Sequence, residues 1–367
     1  MSVSVGGLEL HLGPKVLGAP DDLDAVIRDF IDGANESLYI AVQELDSRSI
    51  ADSILAAKAR GVRVKMILEG DYLVEEQPPA DPWTPSGEYE ENRIIHDAVL
   101  RAGIDVVTDL NPDIFHQKFA VRDPGESSAA LLTGSANFTQ TDTGTNPITT
   151  GIDAGNNLNH VVILHGQSAS GQYLDEFDRL RTGTFGPLHE RQESAPREFT
   201  LGGMRVKPLF APRHGPEMEI MKQMLKASES VDFAMYTFAQ SSGIDDTMMR
   251  LVSDDFAIRG VLDRTQGAQA WAATQPLRAA GVALFENRSA GTGVRKVHHK
   301  LMVLDQRVTI VGSFNYTGPA TTLNDENIIV LGDLEEDNSA AETAQREIAA
   351  AALGEIDRII TDLAEPV

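Results

Sequence analysis

Two segments of the sequence place the same polar residues at the same spacing. One runs Phe115-His116-Gln117-Lys118 and ends at Asp123; the other runs Val297-His298-His299-Lys300 and ends at Asp305, so each reads His-x-Lys-x4-Asp. In an extended strand, residues two apart share a face, so His116 and Lys118 point the same way, as do His298 and Lys300. An imidazole and an ammonium aimed together suit an anionic reacting centre. Shortly after each motif comes Gly-Ser-x-Asn: Gly134-Ser135-Ala136-Asn137 and then Gly312-Ser313-Phe314-Asn315. Glycine permits close backbone approach there, and Ser and Asn, again two apart, bring hydroxyl and amide donors.

These are the parts needed for displacement at a phosphodiester. One histidine can attack phosphorus and form a phosphohistidine while the other protonates the leaving oxygen and later activates water. Lys118, Lys300, Asn137 and Asn315 would stabilise charge on the non-bridging oxygens, each contributing about 3 to 4 kcal/mol in comparable sites. No metal and no other cofactor is needed in this scheme, because lysine takes the electrostatic role that Mg²⁺ plays elsewhere. Asp123 and Asp305 complete the motifs, and five residues beyond the lysines they are expected to hold the strand and nearby groups in place. Ser135 and Ser313 are either substrate-binding hydroxyls or turn residues.

The elements that must position these groups also occur twice. Glu36 to Val42 is a strand-like run, followed by a helical stretch from Ser49 to Arg60 and a strand from Val62 to Leu68. Glu229 to Met235, a helix near Asp245 to Ser253 and a strand from Ile258 to Leu262 repeat that order. A helix end, a glycine and a new strand follow in both halves, at Leu100 to Ile104 and at Leu277 to Val282. Leu10 to Pro14 parallels Pro208 to Pro212 at the entrances. The chain is read as residues 1–182 with the first motif, a Gly-, Pro-, Glu- and Arg-rich linker over 183–203, and residues 204–367 with the second. Alternating strands and helices predict an α/β architecture, two mixed sheets flanked by helices. Residues 339–363 predict a terminal helix with a solvated acidic face, and 141–157 a loop near the site.

The duplicated His-x-Lys-x4-Asp motifs with their Gly-Ser-x-Asn segments resemble those of the phospholipase D superfamily, over almost the whole chain. The resemblance implies an internally duplicated fold with pseudo-twofold symmetry and one active site where the halves meet. It also implies a carboxylate that orients a catalytic histidine, which falls on Glu326; strand alignment puts Asn159 at the equivalent position in the first half. On that alignment Glu326 is expected to partner His298 as general acid and base, and Asn159 to partner the nucleophile His116. His160 and His299 are read as structural, and Tyr236 and Phe238 as core or cleft wall. Trp83 and Trp271 carry no assignment.

Composition bears on the substrate. The chain of 367 residues is 42% hydrophobic and 23% charged, has no cysteine, and carries 31 Lys plus Arg against 55 Asp plus Glu, a net charge of −24. Disulfides and thiolate chemistry are thereby excluded. No apolar run reaches membrane-span length and no signal-peptide pattern opens the sequence, so a cytoplasmic protein is expected. The acidic charge opposes loose binding to polyanions. Similarity of Met235 to Phe238 to a strand of bacterial nuclease-like superfamily members nonetheless favours DNA or RNA as substrate, bound by Arg264, Arg288, Arg295 and Lys296, the last two as substrate-binding residues beside the second motif. Phospholipid head groups are the alternative. Both motifs lie in one chain, so an oligomer is possible but not required for the site.

Overall fold

The computed structural model describes residues 3–74, 80–188, 195–253 and 255–367. Its strands are β1 (Val3–Val5), β2 (Leu8–Gly13), β3 (Ser37–Val42), β4 (Arg63–Leu68), β5 (Asp105–Thr108), β6 (Lys118–Arg122), β7 (Ala130–Gly134) and β8 (Asn156–His165) in the first half. The second half supplies β9 (Phe199–Leu201), β10 (Met204–Ala211), β11 (Ser230–Met235), β12 (Ala257–Leu262), β13 (Ala283–Asn287), β14 (Val294–Val297), β15 (Lys300–Leu304), β16 (Val308–Gly312), β17 (Glu326–Leu331) and β18 (Ala364–Pro366).

The two sheets share one strand order. The first is β1-β2-β8-β7-β6-β3-β4-β5, and the second contains β9-β10-β17-β16-β15-β11-β12-β13 with β18 added beyond β13. In both, parallel pairs on one side (β3 with β4, β11 with β12) meet antiparallel pairs on the other. The fold is thus α/β and internally duplicated. β9 lies inside the stretch read as a linker, so the second sheet begins earlier than composition suggested; residues 189–194 of that stretch lie outside the described residues.

Near-continuous runs of Val, Ile, Leu and Ala make β3, β6 and β15 strands covered on both faces. Outer helices such as Leu23–Asp32 and Arg48–Ala59 pack with the first sheet, and Pro216–Lys226 and Ile244–Leu251 with the second. A third core is common to the halves. Phe119, Tyr173 and Phe177 meet Phe210, Val303 and Ile356 there, with helices Gln167–Arg181 and Ser339–Arg358 contributing. The terminal helix packs one face and leaves the other to solvent: it buries Ile348, Ala352, Glu355 and Ile356 and ends in a π-helical turn over Ile359–Leu363.

Each half presents its motif through one crossing. β14 leaves the second half and pairs in parallel with β8 of the first sheet, and His298 N donates to Leu158 O at 2.9 Å. Conversely, Phe115 bridges to Asp325 beside β17, and His116 N donates to Asp325 O at 3.0 Å. Each motif segment is therefore seated against the partner half.

Asp123 and Asp305 do the holding that the sequence assigned to them, and they do not line the cleft. The Asp123 carboxylate accepts from the backbone N–H of Asn35, Glu36 and Ser37 at 3.0, 2.7 and 2.9 Å, and these bonds hold its pKa below the usual carboxylate value although burial pushes the other way. Asp305 accepts from Ser228, Glu229 and Ser230 at 2.8, 2.8 and 2.9 Å. Both aspartates sit in the left-handed region, at φ 46° and 50°, which Asp and Asn tolerate better than Ala. Asp305→Ala is expected to destabilise the fold by about 3 kcal/mol, because it leaves three amide donors without a partner and strains the turn. Asp305→Asn is expected to cost less; equal losses of thermal stability in the two variants would refute this account.

Candidate active site

The cleft between the halves encloses about 780 Å³, and His116, His298, Asn137 and Asn315 all line it. Each histidine lies two residues before a strand at the junction, His116 ahead of β6 and His298 between β14 and β15, and both are more than nine-tenths buried. The tight geometry of Gly-Ser-x-Asn explains its glycine. A Cβ on Gly134 would stand 2.3 Å from His160 O, and one on Gly312 would stand 2.2 Å from Asn327 O. Any larger residue would push β7 or β16 off the neighbouring strand that carries the histidine's partner.

Those partners are crossed relative to the sequence expectation. His116 Nδ1 lies 2.7 Å from Glu326 Oε2, and His298 Nδ1 lies 2.9 Å from Asn159 Oδ1. Glu326 therefore does not serve His298, nor Asn159 His116. The physical reason is the crossing of the motif segments, which puts His116 beside β17 and His298 beside β8. Matching positions within each half is correct for topology and wrong for contact.

Ser135 and Ser313 also have a different place from the substrate-facing one. Both are fully buried. Ser313 Oγ donates to Glu326 Oε2 at 2.7 Å and accepts from Asn327 N at 3.0 Å; Ser135 Oγ donates to Asn159 Oδ1 at 2.8 Å and accepts from His160 N at 3.0 Å. They hold the histidines' partners. With Ser135 donating to its oxygen and its nitrogen turned toward Asp142 O at 3.3 Å, Asn159 offers Oδ1 as acceptor. His298 thus carries its proton on Nδ1, which leaves Nε2 for chemistry. The Glu326 carboxylate fixes His116 the same way.

The two lysines lie beneath the cleft. Lys118 Nζ donates to Gln43 Oε1 at 3.1 Å and His116 O at 3.0 Å, while Lys300 Nζ donates to His298 O at 3.0 Å and stands 5.1 Å from the centre of the Tyr236 ring. Burial is the main cause that brings Lys118 down to about 8, and burial with the Lys118 charge lowers Lys300 far. His116 is driven well below its usual value by burial, then by Lys118 and Lys300; His298 is lowered by burial, then by Lys300, Lys296 and Lys118. Burial raises Glu326 to about 8 against the opposing pull of Lys118 and Ser313. An anion bound in this site would offset the mutual repulsion of these positive groups, while the cost of their burial would remain.

Asn137 and Asn315 have amide oxygens that are buried without a hydrogen-bond partner among the described residues. Those oxygens are acceptors, so a phosphoryl oxygen could be met only by the Nδ2 of each amide. Three contributors were missed by sequence reasoning: Gln43, Asp142 and the direct role of Tyr236. Gln43 and Tyr236 stand at equivalent positions after β3 and β11, a duplication signal that was visible. Tyr236 packs edge-on against His298 with ring centroids 4.9 Å apart, while Phe238 is core. Asp142, within the loop region flagged at 141–157, accepts from Asn137 N at 2.7 Å and lies 3.6 Å from His298 Nδ1.

Arg295 and Lys296 line the cleft, with Arg295 3.1 Å from Asp153. Arg264 and Arg288 do not. Arg264 pairs with Glu286 and Glu365, and Arg288 donates to the carbonyls of Asp362 and Thr361. Trp271 lines the cleft, as do the acidic side chains of Glu44, Asp46 and Asp142. Among the described residues no group of three or more His, Asp and Glu side chains converges as a metal site, and no helix is long and apolar enough to cross a membrane.

Comparison with known proteins bears on the family and the fold. A mitochondrial cardiolipin hydrolase of Xenopus tropicalis is 34% identical over 110 residues, 30% of this chain and 50% of that protein. A phospholipase D of Rickettsia conorii is 29% identical over 170 residues, 45% of this chain and 80% of that one. The chain spans about half the length of the cardiolipin hydrolases it matches. Among solved structures, the phosphatidylserine synthase of Haemophilus influenzae shares the fold with a TM-score of 0.66 at 11% identity, covering 100% of this chain and 88% of that one. The family model described as cardiolipin synthase, phospholipase D-like domain matches residues 27–181 and 220–349, each stretch holding one motif, and the chain belongs to that family within the phospholipase D superfamily.

Proposed function

We propose that this chain is a metal-independent phosphodiesterase that works through a phosphohistidine on His116 and acts on phospholipid head groups. The crossed pairing carries the reading of roles. Glu326, accepting from Nδ1–H, directs the Nε2 lone pair of His116 at phosphorus and stabilises the positive ring that forms on attack. The bond from phosphorus to the leaving alcohol breaks as His298 Nε2 donates its proton to that oxygen. Water then attacks the phosphohistidine while His298 Nε2 takes its proton, and the nitrogen–phosphorus bond breaks to restore His116. Lys118, Lys300, Asn137 and Asn315 face the charge that develops on the phosphoryl oxygens. His298, low in proton affinity when the site is empty, gains it as the substrate anion offsets the three lysines.

The substrate class rests on two supports. The relatives are named for cardiolipin and phospholipase D activity. In addition, two of the four cations expected to build a nucleic-acid groove are tied up elsewhere; the charge of −24 opposes nucleic acid and anionic lipid alike and does not choose between them. Phospholipid therefore comes ahead of DNA or RNA. The test incubates the protein, in excess EDTA, with phosphatidylcholine vesicles, cardiolipin vesicles, single-stranded DNA, duplex DNA and RNA. Head-group or phosphatidyl release from lipid is expected. Cleavage of nucleic acid alone would overturn the substrate class, and loss of activity on adding EDTA would overturn the metal-free mechanism.

A further inference from the structure

Behind each catalytic hydrogen bond runs a second one, a residue further along both chains. Gln117 and Asn327 follow His116 and Glu326, and Asn327 Nδ2 donates to Gln117 Oε1 at 2.7 Å. His299 and His160 follow His298 and Asn159, and their Nδ1 atoms lie 3.3 Å apart. Successive residues in extended backbone face opposite sides, so each pair spans the junction of the halves on the side away from the cleft. All four side chains are fully buried. Tyr173 Oη donates to Asn327 Oδ1 at 3.1 Å behind one pair, and Glu355 Oε1 stands 3.5 Å from His299 Nε2 behind the other. The duplicated halves have thus kept the bridge and changed its chemistry, from amide to imidazole.

The partners of the imidazole bridge define where its protons are. Gly312 N donates to His160 Nε2 at 3.2 Å, so that nitrogen holds a lone pair and the ring proton is on Nδ1. That proton points at His299 Nδ1, which must accept, leaving the His299 proton on Nε2 toward Glu355. The ring planes agree within 2° with centroids 5.5 Å apart, an edge-to-edge meeting suited to one shared proton. Glu355 is held charged by Arg358 at 2.7 and 2.8 Å. Lys300 is the other charge acting on both rings, and with burial it opposes a second proton in the pair.

From this we infer that His160 and His299 are positioning residues for the general acid and base His298: a single-proton bridge that fixes the two backbones across which His298 meets Asn159. The His116–Glu326 pair has its own bridge in Gln117–Asn327. Losing His299 from the bridge, with His160 still holding Gly312 N beside Ser313, therefore loosens the proton-transfer half of the site and spares the nucleophile. The inference rests on the phosphohistidine mechanism proposed above.

The test uses bis-para-nitrophenyl phosphate, whose leaving group is a weak base and departs without an acid. Wild type is expected to show a burst of nitrophenolate as His116 is loaded, followed by slower turnover limited by His298-assisted attack of water. In H299L the burst is expected to persist while steady turnover falls about tenfold or more and phospho-His116 accumulates. The double variant H160N/H299Q, which rebuilds the amide bridge of the other half, is expected to return turnover to within about threefold of wild type. Burst and turnover falling together in H299L, unchanged turnover, or a folded double variant that fails to rescue would each overturn the inference. Nitrogen NMR of the wild-type imidazoles decides independently of any variant: His160 protonated on Nδ1 and His299 on Nε2 is required, and the reverse tautomers refute it. A wild type without a phospho-enzyme would instead overturn the mechanism in the preceding section.

Discussion

His116→Ala is expected to lower turnover by about 10⁵-fold or more, the scale on which removing a covalent nucleophile acts when no neighbour can replace it. His298→Asn is expected to be nearly as slow in turnover yet to retain phosphorylation by a substrate with a good leaving group. The difference follows from what each imidazole faces. Both are buried and both have Nδ1 occupied, so in each only Nε2 is free to react. His116 is backed by a carboxylate, which lowers the energy of the positive ring formed when Nε2 bonds to phosphorus. His298 is backed by a neutral amide oxygen, with Asp142 farther off at 3.6 Å, so it holds a proton less firmly and can both give and regain one. Quenching His298→Asn in acid-free denaturant and mapping the modified peptide is expected to find the phosphoryl group on His116. A modified His298 in wild type, or turnover by His116→Ala above a thousandth of wild type, would reverse the assignment of roles.

The sequence allowed the fold to be read because it is written twice: β3 with β11, β4 with β12 and the two Gly-Ser-x-Asn segments match by eye, and their strands take the same positions in both sheets. The histidines that meet at the cleft were equally visible, since the His-x-Lys motif occurs in both halves. The pairing of histidine with partner was not. His116 and Glu326 are 210 residues apart, and nothing local in either segment says that β14 pairs with β8 or that Phe115 bridges to Asp325. The same gap misassigned Ser135 and Ser313, whose hydroxyls serve residues on neighbouring strands. Arg264 looked like a groove cation because Glu286 and Glu365, which neutralise it, come from β13 and β18. Burial of a motif residue is legible from periodicity, but the identity of what it touches depends on how two sheets close on each other.

Glu326→Gln is the substitution that separates crossed from uncrossed pairing, and its expected effect is a loss of about 10⁴-fold in the phosphorylation step, the cost of turning an orienting carboxylate into an amide that can present a donor to Nδ1. With Nδ1 accepting, the proton of His116 moves to Nε2 and the attacking lone pair is gone. Had Glu326 served His298, the same variant would phosphorylate normally and stall at hydrolysis, so the nitrophenolate burst discriminates: crossed pairing requires the burst to vanish. pH gives a second reading. Burial raises Glu326 to about 8, and its ionised form holds Nδ1–H and steadies the positive ring more strongly than the neutral acid does, so the wild-type phosphorylation rate is expected to rise with pH as that proton leaves, toward about 8. In Glu326→Gln there is no such proton to lose, and the residual rate is expected to lack that limb. Asn159→Ala removes only the amide from His298 and leaves His116 oriented, so it is expected to keep the burst and slow the release of phosphate. A burst preserved in Glu326→Gln and lost in Asn159→Ala would return the site to the uncrossed pairing and transfer the nucleophile to His298.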